Sequence, residues 1–288
     1  MSWAAHEIED YLAQKHLGTR VSFLALALGA DAPDLLTKGL VSGVRVGPLT
    51  LGGHDPQHFQ RGWPGAGFTH SLLFGVVVAA LVLGLTRSRP WALGLLVGQW
   101  MHVLSDITDT CGTMLFFPFS HEPVTVGAWR YAAFAGSYGD AAAYYSSLGG
   151  VWDALWLVAV LLLARRTLRA DYFRQVIVAA DPKVWAWVHR RFGIEEAGLL
   201  ALYRGLLFYG ACRIAAWTIH ARFVAHAPVD LRWGGPRYVS LVDLSDATAG
   251  EVAVECLRGA VLLAAVLAAA WVVCVRHLWR RAAPTASG

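Results

Sequence analysis

Trp100-Met-His-Val-Leu-Ser-Asp-Ile-Thr-Asp-Thr-Cys-Gly112 closes a long apolar run and yet carries His102, Asp106 and Asp109. A carboxylate near the middle of a membrane-length helix costs roughly 2.5–3.5 kcal/mol on insertion scales, so something has to compensate it. His102 and Asp106 are four residues apart, and on a helix both side chains leave the same face. Two readings fit the pair. It is a buried His–Asp hydrogen bond that fixes helix packing, or it is half of a site for a metal ion. Working outward, Gly29-Ala-Asp-Ala-Pro-Asp34 and Gly67-Phe-Thr-His-Ser-Leu-Leu73 each place an acid or an imidazole at the end of an apolar segment. There a helix terminus can meet its neighbours, which favours the metal reading.

The chain of 288 residues is 56% hydrophobic and 15% charged, and its mean hydropathy is +0.47. Soluble domains run closer to a quarter charged. Several apolar runs of about twenty residues indicate a polytopic membrane protein. The net charge of +4 carries no long basic tract, so no nucleic-acid partner is expected. The cysteines Cys111, Cys212, Cys256 and Cys274 form no Cys-x-x-Cys pair, which excludes a zinc ribbon and a dithiol redox motif. The N-terminus lacks a basic region followed by an apolar run, so no cleavable signal peptide is expected.

The expected fold is an all-α membrane bundle of five or six membrane segments plus an N-terminal amphipathic helix, as one membrane domain over 1–288. Residues 2–16 read as that helix, with Trp3, Ile8 and Leu12 on one face and Glu7, Glu9 and Asp10 polar. Residues 18–33 are apolar but short for a span, and 37–66, with His54 and His58, read as a Gly/Pro-rich loop. Spans are expected at 68–86, 91–110, 148–164, 199–219 and 257–275, with a basic interfacial segment at 170–192. Arg87 and Arg89, then Arg165 to Arg191, then Arg276 to Arg281 all fall on one side of this arrangement. The positive-inside rule makes that side cytoplasmic. The acids and imidazoles then lie in the outer half of the membrane.

Taken together the candidate ligands are His6, Asp34, His70, His102 and Asp106. Neutral imidazoles donate nitrogen and carboxylates balance an ion's charge, which suits zinc or another divalent first-row metal. These residues resemble the membrane-bound, metal-dependent hydrolases of the YdjM type, also described as LexA-binding inner-membrane-associated hydrolases. The matching elements are His6, Pro33-Asp34, Gly67-Phe-Thr-His-Ser-Leu-Leu73, His102-Val-Leu-Ser-Asp106, Thr110, Gly112 and Pro118. They cover residues 1–120, and 121–288 would add helices and outer loops. The family is more distantly similar to zinc-dependent phospholipases C and single-strand-specific nucleases. That likeness implies that Asp34, His70, His102 and Asp106 hold one ion and that His6 and Asp106 contribute to a second. His102 and Asp106 would then carry the catalysis. The chain departs from the pattern at Leu36, where the family has a second Asp; Asp31 stands three residues before Asp34 as a substitute. Later superfamily ligands have no counterpart and Trp3 is internal, so one or two zinc ions are implied rather than three.

Around this set, Asp109 is a candidate to orient an imidazole, and His121 and Glu122 to line a substrate entrance. His220, His226 and Asp230 begin an outer loop. The expected activity is metal-dependent hydrolysis of a phosphoester in a lipid or lipid-linked substrate, in the cytoplasmic (inner) membrane. The alternative is a non-catalytic metal-binding carrier or sensor, since intramembrane acids and histidines also mark ion pathways. Neither His-Glu-x-x-His nor Gly-x-Ser-x-Gly occurs, so zinc-protease and serine-hydrolase chemistry are not expected.

Overall fold

A computed structural model describes residues 2–41, 44–46, 48–51, 67–120, 122–132 and 138–235, with single positions at 269 and 272. The first helix, α1 (Trp3–Leu17), starts at Ser2, whose side chain accepts from the Ala5 amide, and stops at Gly18 with φ +59°. It is not the surface amphipathic helix expected from its sequence. Ala4, Ala5, His6, Ile8, Glu9, Asp10, Tyr11 and Gln14 are each at most 1% exposed. Helix α1 is enclosed by α2 (Phe23–Val41), α5 (Leu148–Thr167) and α7 (Glu196–Ile219). The acids assigned to its polar side turn inward, each in a different setting. Glu7 pairs with Arg213 of α7, and Glu9 meets His6. Burial holds the Asp10 carboxyl well above the usual carboxylate range, so it sits inside in its neutral form.

Two further ties fix α1. Asp153 of α5 is fully buried and accepts from Tyr144 Oη at 2.7 Å, Tyr145 Oη at 3.0 Å and Ser2 Oγ. Tyr11 donates to the Tyr203 carbonyl and packs with Phe23, Phe173 and Tyr203 in an aromatic cluster. At α7 the approach needs Gly210, where a Cβ would stand 2.7 Å from Ile8 Cγ2.

Helix α2 does not end near Pro33 as its sequence suggests; it continues to Val41 with Pro33 inside. A proline lacks the amide that would bond the carbonyl four residues back. The carbonyl that loses this donor is that of Gly29; the Pro33 carbonyl itself accepts from Thr69 Oγ1 at 3.3 Å, which ties α2 to the turn of His70. Residues 37–66, expected as loop, therefore begin in helix. They also hold an antiparallel hairpin, β1 (Val44–Val46) with β2 (Leu49–Leu51), which is the exception to an otherwise helical fold among the described residues. His54 and His58 lie outside the described residues.

Helices α3 (Leu72–Thr86) and α4 (Arg89–Asp106) form a tight pair joined at Arg87 and Ser88. The closest packing in the bundle is α4 on α2. A Cβ on Gly98 would stand 2.2 Å from the Leu26 carbonyl oxygen, one on Gly29 2.5 Å from that of Leu95, and one on Gly94 2.8 Å from that of Ser22. Small residues four apart let helix backbones touch in this way. After α5 come a π-helical turn at Phe173–Val178, the short α6 (Pro182–Phe192) and α7.

Among the described residues, Leu148–Thr167 and Glu196–Val224 are long and apolar enough to cross a membrane. Helix α3 is apolar but has 15 residues, and α4, with 18, is interrupted by Gln99, His102 and Asp106. Four of the five expected spans are thus helices close to their expected places, and the fifth, 257–275, lies outside the described residues except for positions 269 and 272. The basic Arg87–Arg89 turn and the start of α6 meet at one end of the bundle. There Asp181 accepts from Ser22 Oγ at 3.0 Å and Trp91 Nε1 at 2.7 Å.

Two outcomes follow from this packing. Gly98→Ala forces α2 and α4 apart and should cost about 1–3 kcal/mol. Gly84→Ala, with open space around it, should be neutral or gain up to about 1 kcal/mol from helix propensity. Thermal melts of both variants in detergent check the contrast, and equal melting temperatures would refute the contact. At the basic end, burial raises the Asp181 carboxyl to about 6 from 3.8. A raised carboxyl gives stability that is complete below about 4 and lost as pH climbs to about 6. The stability of the wild type relative to Asp181→Asn should therefore decline across that window and level off above it. A flat difference between pH 4 and 7 would show that Asp181 titrates normally.

Candidate metal centre

The last turn of α4 carries His102 and Asp106, and their four-residue spacing puts His102 Nε2 3.4 Å from Asp106 Oδ2. His70 arrives from a 3₁₀ turn, Gly67–His70, just before Ser71 caps α3. Gln99 of α4 clamps that turn, its Nε2 donating to the carbonyls of Thr69 and Ser71 at 2.9 Å each. Asp34 comes from α2, one residue after Pro33. The turn of His70 and the helix of Asp34 are linked directly by the Thr69–Pro33 hydrogen bond. His6 comes from α1, so four separate segments meet here.

The distances describe a compact ligand set. His70 Nε2 and His102 Nε2 are 3.3 Å apart. His70 Nε2 lies 3.7 Å from Asp106 Oδ2 and 3.7 Å from Asp34 Oδ1, and His102 Nε2 lies 3.9 Å from Asp34 Oδ1. Four atoms held tetrahedrally at about 2.0–2.1 Å from a zinc ion stand about 3.3–3.4 Å from one another. The observed edges match that figure or exceed it by up to about half an ångström. On the other side of the carboxylate, His6 Nε2 is 3.6 Å from Asp106 Oδ1, and the His6 ring stacks on His102 with centroids 3.9 Å apart. Asp106 therefore presents one oxygen to His70 and His102 and the other to His6. Two groups of ligand atoms lie within 4.8 Å of one another: His6, His102 and Asp106, and Asp34, His70 and His102.

All five residues are buried, Asp34 at 8% exposure and the other four at 1% or less. Burial, with His102 adding to it, lowers His6 to about 3, and burial lowers His70 as well. Both imidazoles are neutral at pH 7 and keep a lone pair. For His70 the hydrogen-bond network selects which nitrogen bears it. Thr69 gives its hydroxyl proton to Pro33, so its oxygen accepts from His70 Nδ1–H, at 3.2 Å, and Nε2 faces the cluster unprotonated. His6 Nδ1 contacts Glu9 Oε1 at 3.0 Å, while His6 Nε2 is buried and makes no hydrogen bond among the described residues. A buried, unsatisfied imidazole nitrogen beside a carboxylate is costly unless a cation occupies the space between them.

The remaining candidates fall away from this centre. Asp31 is half-buried, its charge coupled to Glu7, His102 and Asp34, and it belongs to neither ligand group. Asp109, expected to orient an imidazole, instead accepts from the amides of Cys111 and Gly112 at 2.9 and 3.3 Å. It shapes the loop after α4. That loop requires Gly112, at φ +67°, because a Cβ there would stand 2.4 Å from the Val124 carbonyl oxygen. Glu122 is exposed on the same loop, and His121 lies outside the described residues. Asp230 is held at the surface by Arg232. The supporting residues that the sequence reading passed over are Glu9, Thr69 and Gln99. Glu9 had a visible signal, its i, i+3 spacing from His6. Gln99 had a weaker one, a lone amide on an apolar helix three residues before His102.

No curated protein and no solved structure matches the chain. The YdjM inner membrane protein family matches over residues 5–172, which extends the likeness past residue 120 and through α5. That range holds every residue of the cluster and the Ser2-capped helix from its third residue onward. More than half of the sequence is covered, and the chain belongs to the YdjM inner membrane protein family.

Proposed function

We propose that this protein is a multi-pass inner-membrane hydrolase that uses two divalent ions, zinc by the chemistry of its donors, to cleave a phosphoester of a lipid or lipid-linked substrate. The observation that carries the reading is Asp106, fully buried, with its two oxygens divided between His70 and His102 on one side and His6 on the other. When bound, such an ion supplies Lewis acidity and lowers the pKa of a coordinated water towards neutrality. The chain's own residues provide the rest. Asp34, His70, His102 and Asp106 would hold the first ion. His6 and the second oxygen of Asp106 would hold the other. His6 Nδ1 lies 3.0 Å from Glu9 Oε1, so with an ion held at Nε2 the Nδ1–H would donate to Glu9, which would orient the ring.

The Arg87–Arg89 turn and α6 gather at the end of α4 remote from the cluster, which supports an outer-half position for the site under the positive-inside rule. A place between helices at that depth favours a substrate with a lipid tail. The distant resemblance to zinc phospholipases C favours a phosphoester.

A second reading rests on a specific observation. Five of the six distances among Asp34, His70, His102 and Asp106 are 3.3–3.9 Å; an ion held by all four would be closed, and closed zinc sites are structural rather than catalytic. With that ion alone the protein would be a carrier or sensor. An open coordination position, and hence hydrolysis, depends on the second ion at His6.

Metal stoichiometry separates the readings. The hydrolase should bind two ions per chain by elemental analysis. His6→Asn should retain one ion and lose hydrolysis across a panel of phospholipids and phosphodiesters. Asp106→Asn should lower metal affinity by at least 10–100-fold, the effect typical of changes next to the ligands. The metal-free form of Asp106→Asn should melt no lower than the wild type, because a neutral amide is cheaper to bury than a charge. One ion per chain in the wild type would favour the sensor. A wild type whose melting is indifferent to chelator and added zinc would remove the metal reading altogether.

A further inference from the structure

At the end of the bundle opposite the metal centre, a cavity of about 380 Å³ is lined by Thr86, Arg87, Ser88, Arg89, Pro90 and the Ala180–Lys183 segment. Arg87, Arg89 and Lys183 are its cations, and none has an ion-pair partner among the described residues. Asp181 is the acid of the lining, and its carboxyl is engaged by Ser22 Oγ and Trp91 Nε1. Three cations against one acid leave an excess of two positive charges. The N-terminal ends of α4 and α6 also point here, at Pro90 and Pro182, and helix N-termini add partial positive charge. Arg87 keeps its place at φ +55°, a conformation uncommon outside glycine and asparagine. The cavity lies about 20 Å along α4 from His102, so it is separate from the metal centre.

We propose that this cavity binds the phosphate of an anionic phospholipid, with the acyl chains lying along α3 and α4. Unpaired cations around a pocket need an anion of matching charge, and phosphate accepts several such donors at once. The choice of a lipid over free phosphate rests on what adjoins the cavity. Leu81 and Leu85, one turn apart on α3, are 55% and 58% exposed, and Leu93 on α4 is 43% exposed. The cationic pocket therefore stands at the foot of an open apolar wall, the arrangement that fits a headgroup with tails.

The test uses the full chain in detergent micelles, melted with phosphatidylglycerol, with phosphatidylcholine, and with inorganic phosphate. Phosphatidylglycerol should raise the melting temperature saturably, by about 5 °C at a hundredfold excess over its Kd. Phosphatidylcholine at the same concentration should have no effect. The shift should vanish in 1 M NaCl, where the Debye length is about 3 Å. It should also vanish in the combined variant Arg87→Asn, Arg89→Gln, Lys183→Gln, in which asparagine suits the left-handed backbone at position 87. If the combined variant does not fold, Lys183→Gln alone should weaken the response by several-fold. An equal shift from inorganic phosphate would assign the cavity to the free anion and overturn the lipid. Equal shifts from both lipids, or an unchanged response in the variant and in high salt, would overturn the site.

Discussion

Asp106 imposes the constraint that the rest of the molecule satisfies. Its carboxylate is completely shielded from solvent, and an isolated ion in that position is prohibitively expensive. Three imidazoles stand within 3.7 Å of it, each from a different part of the chain. To bring them there, α1 must enter the bundle, α3 must begin with a 3₁₀ turn, and α4 must end where the loop of Asp109 folds over. Each local peculiarity of the fold serves that convergence. The chain at Pro33 is one case: the Pro33 carbonyl is the acceptor that holds Thr69, and through Thr69 the tautomer of His70.

The glycine contacts set how closely these elements approach. With Gly29, Gly94 and Gly98 the backbones of α2 and α4 touch. That closeness is what brings Asp34 to within 3.9 Å of His102. A side chain at any of the three would push the helices apart and lengthen that distance. The ligand geometry thus depends as much on three residues without side chains as on the five that carry the donors.

The positions of most helices were legible in the sequence because long apolar runs have a simple cause. The five cluster residues were legible because acids and histidines in such runs demand compensation, and the i, i+4 pair His102–Asp106 announces a shared face. Other features were not. Helix α1 looked amphipathic because Glu7, Glu9 and Asp10 were assigned to water. Glu7 finds a tertiary partner in Arg213 and Glu9 a local one in His6, and sequence spacing reveals only the second. Pro33 looked like a helix end because the acceptor role of its carbonyl depends on Thr69, in another segment. Asp109 looked like a partner for an imidazole, yet the short path from its carboxylate to the next backbone amides decided otherwise. In each case a long-range contact, or a very local one, overrode an average tendency.

Helix α1 is synthesised before the groups that make it tolerable in the interior. Glu7 waits for Arg213, 206 residues downstream, and Ser2 waits for Asp153, 151 residues downstream. Until those helices exist, a segment with three acids and little net hydrophobicity has no reason to leave the aqueous interface. The pairing of α1 therefore has to wait for α5 and α7, however early α1 itself is made. Docking of α1 brings in His6 and closes the cluster around Asp106. Any metal bound between His6 and Asp106 would then latch α1 to the rest of the bundle.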